Sequence, residues 1–231
     1  GPGSSATAEG APPDQSPQSV PFTGLSGPTD VAVDPNGTTY VADTGNDRIL
    51  QVTPSGVQST LGFTGLVDPT AVGVALDGTV YVADTGNDRI VRLPAGGGAQ
   101  ATVAFTGLAD PSDVVVDDLG TVYVSDTGND RVVKRTAAGV QSTLGFTGIS
   151  SAYGPAGIAV DRSRNVFAVD PGNNRVLRLP AAGGAQTTLG FGFLVGAVGV
   201  AVDGAGTVYV SDDFDNVVVG LRPGGEVFPL D

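Results

Sequence analysis

The stretch VADTGNDR (residues 41–48) returns unchanged at 82–89 and once more as VSDTGNDR at 124–131. Six polar residues written three times could be chemistry or an architectural turn, and their surroundings decide between the two. FTGL opens at Phe22, Phe63 and Phe105, becomes FTGI at Phe146 and decays to FGFL at Phe191. The units therefore run 22–62, 63–104, 105–145, 146–190 and 191–231. A period of about 42 residues is too long for heptads or short solenoids and matches one propeller blade.

One unit reads as four strands. In the first, VAV (31–33) leads through a Pro-Asn-Gly turn to TTYVA (38–42), then DTGNDR, ILQV (49–52), a Pro-Ser-Gly turn and QSTLGF (58–63). Inner strands of Val, Ala and Gly suit a crowded axis, and strands apolar on both faces suit sheets sandwiched between neighbours. A two-sheet sandwich would not explain the repeat register. The expected fold is all-β, a propeller of five four-stranded blades. SVPF (19–22) and EVFPL (226–230) both match an outer strand, so the ring is expected to be latched by its terminal strands. The alternative is an incomplete six-bladed ring with an open edge.

Composition agrees. With 36 Gly, 16 Pro and abundant Val and Thr, many short strands joined by tight turns are expected, and almost no helix. Residues 1–21 read as a cloning scar, GPGS, followed by a Pro-rich linker or stalk. A formal charge of −13 repels phosphate backbones and anionic lipid, which argues against nucleic acid as partner. No apolar run approaches a membrane span, so direct insertion of this piece is not expected. The chain has neither Cys nor His, which removes thiol and imidazole metal ligands and the base of a Ser-His-Asp triad. No catalytic residue is singled out.

In the repeated turn, Gly and Asn tolerate positive φ, Asp accepts backbone N–H groups, and the Arg that follows can pair with it. Asp43, Asn46 and Arg48 are thus read as structural, with Asp84, Asn87, Arg89, Asp126, Asn129, Arg131, Asp170, Asn173 and Arg175. Asp212–Val217, DDFDNV, abandons Gly and Arg. Calcium on Asp43, Asn46 and Asp47 is the alternative, but the D-x-D-x-D-G order and a following Glu are missing; no metal or other cofactor is expected.

Individuality lies instead just before the inner strands, where the repeats differ. Thr29, Asp30, Thr70, Ser112 and Asp113 are the candidate ligand-binding residues of the channel face. The insertion SSAYGPAG (150–157) brings Tyr153 there, and GFLVGAVG (192–199) brings Phe193 and Leu194. These three offer a contact patch or pack against each other.

The unit, with its VAVD, GTVYVADTGNDR and VVKR (132–135) segments, resembles the NHL repeat, a β-propeller family. Over residues 22–231 it is similar to the extracellular sensor domains of mycobacterial receptor serine/threonine kinases. That resemblance implies a non-enzymatic extracytoplasmic module on a membrane-tethered protein, binding a protein or a cell-envelope glycan or peptide. A monomer is expected, or a dimer through an open blade edge. Other members imply a metal-dependent lactonase using channel carboxylates, or a pure interaction scaffold. Propeller lyases that rely on His are disfavoured.

Overall fold

A computed structural model describes residues 20–192 and 194–230. Most of the Pro-rich segment, Ser19 of the expected latch, Phe193 and Asp231 lie outside the described residues. The fold is a β-propeller of five four-stranded antiparallel sheets, each built from strands consecutive in sequence. In blade 1 the inner strand is Asp30–Val33, followed by Thr39–Asp43, Arg48–Val52 and the outer Gln58–Thr60. The second strand of blades 1 to 4 is buried along its whole length. The outer strand of blade 1 ends at Thr60, short of the expected Phe63, because Leu61 and Phe63 turn inward against the core shared with blade 2.

Four apolar cores join the five blades. Tyr40, Ala42 and Ile49 of blade 1 meet Leu66, Val72 and Val82 of blade 2. Tyr81 and Ile90 meet Val114 and Val124 of blade 3, Tyr123 and Val132 meet Ile158 and Ala168 of blade 4, and Phe167 and Val176 meet Leu194 and Val210 of blade 5. Among the described residues no such core joins blade 5 to blade 1. Val31 is 60% exposed, whereas Val72, Val114 and Ile158, its equivalents in the next three blades, are 3%, 1% and 2% exposed. On the other side of the gap, Val218 is 38% exposed where Ile49, Ile90, Val132 and Val176 are 0%.

The expected latch is corrected on this point. The outer position of blade 5 is filled by Val227–Leu230, paired with Val218–Leu221, and no strand of the described N-terminal residues is added beside it. Residues 20–22 instead form a tight turn, the Phe22 N–H donating to the Val20 carbonyl at 2.8 Å. Thr23 is held by the Gln58 side chain of its own blade, a clasp that recurs between Thr64 and Gln100.

Candidate functional site

The DTGNDR turns and the residues leading into the inner strands share one end of the propeller, its upper mouth. Each turn is a short 3-10 segment, Thr44–Asn46 in blade 1, closed by a left-handed residue. That residue is Asp47, with φ 51°, and Asp88, Asp130 and Asn174 take the same conformation. The expectation of positive φ at Gly45 and Asn46 is thereby corrected. Gly45 is required for a different reason: a Cβ there would lie 2.7 Å from the Ser26 carbonyl oxygen.

Asp43 is fully buried and saturated with donors. Its Oδ1 accepts the Ser26 N–H at 2.6 Å, and its Oδ2 accepts Asn46 Nδ2 at 2.8 Å and Arg48 Nε at 2.7 Å. Arg48 and Asn46 also donate to the Gly24 carbonyl, which staples the FTGL loop to the turn. Burial pushes the Asp43 carboxyl up, but these donors outweigh it and hold it below its ordinary value. Asp84, Asp126 and Asp170 repeat the arrangement with Arg89, Arg131 and Arg175. Asn87, Asn129 and Asn173 take the place of Asn46. In blade 5, Asp212 keeps the role without the Arg, since the N–H groups of Val195, Gly196 and Asp215 converge on it.

A second set of fasteners escaped sequence reasoning. The Thr29 and Thr44 hydroxyls lie 2.6 Å apart and share their two protons among each other and two carbonyls of the next blade, Thr70 for Thr29 and Pro69 for Thr44. Thr70 with Thr85, and Ser112 with Thr127, repeat this handover. The signal was present as hydroxyl residues 15 apart in three successive units. Thr29, Thr70 and Ser112 are thus joints between blades as well as cavity wall.

The mouth opens into a cavity of about 610 Å³, lined by Thr29, Asp30, Thr70, Ser112 and Asp113 on blades 1 to 3 and by small or apolar residues such as Gly157 and Val198 on blades 4 and 5. The four carboxylate oxygens of Asp30 and Asp113 each accept a backbone N–H. Asp30 takes those of Val31 and of Val72 in blade 2, and Asp113 takes those of Val114 and of Ile158 in blade 4. Burial raises Asp30 to about 6 despite these bonds; burial and then the charge of Asp30 raise Asp113 to about 7. Both values exceed the ordinary 3.8, so the pair favours the fold most below that pH. The contribution is lost as pH rises through 6 to 7.

Tyr153 is exposed and lies outside the cavity wall, its ring edge over Gly172 of the blade 4 turn. Leu194 is corrected to a core residue, buried between blades 4 and 5. Phe193 lies outside the described residues.

The architecture is that of a five-bladed β-propeller, and the NHL repeat profile matches residues 25–51 and 108–134. No curated protein matches the chain. Among solved structures, the nidogen/laminin complex contains a chain 22% identical, with a TM-score of 0.75 over 87% of this chain and 79% of that one. A streptogramin B lyase is 18% identical, with a TM-score of 0.73 over 90% and 69%. Virginiamycin B lyase from Staphylococcus aureus is 15% identical, with a TM-score of 0.71 over 88% and 69%. At these identities the likeness is one of fold.

Proposed function

We propose that the chain is a non-enzymatic protein-binding propeller whose upper mouth is its recognition face, needing no metal or other cofactor. The observation that carries this reading is the division of labour at that mouth. The turns repeat and their polar groups are spent on one another, while the residues around the channel change from blade to blade. A fold shared with a chain of the nidogen/laminin complex accords with protein binding by such a scaffold. The absence of His and Cys from the whole sequence weighs against the commoner hydrolytic and lyase chemistries.

The resemblance of the repeat unit to the sensor domain of mycobacterial serine/threonine protein kinase D supports a place outside the cytoplasm, as sensor or adhesion module of a membrane-tethered protein with an envelope protein, peptide or glycan as ligand. A lactonase-like metal centre on Asp30 and Asp113 is less favoured, because their oxygens are already engaged by backbone N–H groups.

Photo-crosslinking residues placed at Tyr153 and Val198 should capture one defined partner from a cell-envelope fraction, competed away by unlabelled protein. Residues placed at Leu76 and Leu119, on the opposite end, should capture none. Equal capture from both ends, or none from the mouth, would overturn the assignment.

A further inference from the structure

The end opposite the mouth carries a groove at each of three successive blade junctions, and the grooves differ in charge. The groove between blades 1 and 2 is lined by Asp34, Tyr40, Gln51 and Asp77. That between blades 3 and 4 has Asp117, Tyr123, Lys134 and Arg164. The groove between blades 2 and 3, of about 280 Å³, is lined by Tyr81, Arg92, Thr102, Arg135 and Thr136 and by no carboxylate.

Three departures from the repeat produce this. Tyr40, Tyr123 and Tyr209 each donate to an Asp at the end of the inner strand, namely Asp34, Asp117 and Asp203. In blade 2 that place is Ala75, and among the described residues the Tyr81 hydroxyl makes no hydrogen bond. Leu119 stands in blade 3 where blade 2 has Asp77. Arg135, paired in register with Val122, occupies the position held by Val52, Leu93, Leu179 and Leu221 in the other blades. Its guanidinium lies over the Thr136–Gly139 turn, 3.1 Å from where a Cβ of Gly139 would sit. Arg92 faces Tyr81 across the strand pair. Neither Arg92 nor Arg135 forms an ion pair among the described residues, although the chain carries a net charge of −13.

Two guanidinium forks and a phenol line one groove whose wall holds no carboxylate, the nearest acidic influence on Arg92 being Asp77 outside that wall. We propose that this groove binds a phosphate-type dianion, either free phosphate or the terminal group of a small phosphomonoester. Two neighbouring cations match a dianion better than a singly charged carboxylate. The site is separate from the mouth, and it stands or fails independently of the partner bound there.

Calorimetric titration at low ionic strength, with inorganic phosphate and with glycerol phosphate in separate arms, tests this. Saturable binding of either is expected, and the tighter arm identifies the source. Arg135→Leu and Arg92→Gln install residues that the same positions carry in other blades, so both variants should fold, as a thermal melt would verify. Each should weaken binding about tenfold or more, as expected for loss of a charge-assisted contact. Ala75→Asp should weaken it as well. The proposal is overturned by absence of binding at tens of millimolar phosphate, by equal binding of acetate, or by affinity unchanged in Arg135→Leu and Arg92→Gln.

Discussion

Asp84→Ala should destabilise the protein by about 3 kcal/mol, because it strips a buried hub and leaves Arg89, Asn87 and the Val67 N–H without their acceptor. Loss of one member of a buried pair costs roughly 3–5 kcal/mol; the lower end applies because the Arg89 side chain is 31% exposed and water can reach part of it. For a domain of this size, that is a fall in melting midpoint of roughly 6–12 °C. Arg89→Ala combined with Asp84→Ala should cost less than the sum of the two, since the second change removes a charge already orphaned. Additive effects, or a cost below about 1 kcal/mol for Asp84→Ala, would deny the turn its fastening role.

The second large effect is a contrast between two equivalent valines. Val72→Asp places a carboxylate in the core shared by blades 1 and 2, beside the Asp30 oxygen that takes the Val72 N–H, and should cost about 4 kcal/mol or more. Val31→Asp makes the same change at the same repeat position, where the side chain is 60% exposed. Its cost should stay within about 0.5 kcal/mol. Denaturant unfolding of the two variants measures the difference directly. Equal losses would mean that blade 5 closes on blade 1 in solution.

That contrast also marks what the sequence discloses. The blade period, the four strands of a unit and the structural character of Asp43, Asn46 and Arg48 are all legible, because each depends on residues within one unit. Val31 and Val72 sit in matching contexts, so only the path of the whole chain reveals that one is covered and the other is not. The latch failed for a similar reason. SVPF resembles an outer strand locally, but Val227–Leu230 already holds the position it would take.

At the mouth, Asp30 and Asp113 line the channel as expected, although they lie within the inner strands, Asp30–Val33 and Pro111–Val116, and not before them. The hydroxyl handover through Thr44, Thr85 and Thr127 was hidden because each Thr lies inside the repeated motif, where constancy draws attention to Asp and Arg. Leu194 was misplaced because an apolar run in an irregular unit does not declare which of its residues faces the neighbouring blade.

A thermal melt in millimolar calcium against the same protein in chelator tests the central claim most directly, namely that the repeated turn is a fastener whose carboxylates are already saturated. An ion at 100-fold its Kd would stabilise the fold by about 2.7 kcal/mol. For a domain of this size, that is a rise of roughly 5–10 °C. The midpoint should stay the same, because Arg48, Arg89, Arg131 and Arg175 occupy the acceptors an ion would need. A clear rise with calcium would contradict the account and make the turn aspartates, or Asp30 and Asp113, ligands of a metal.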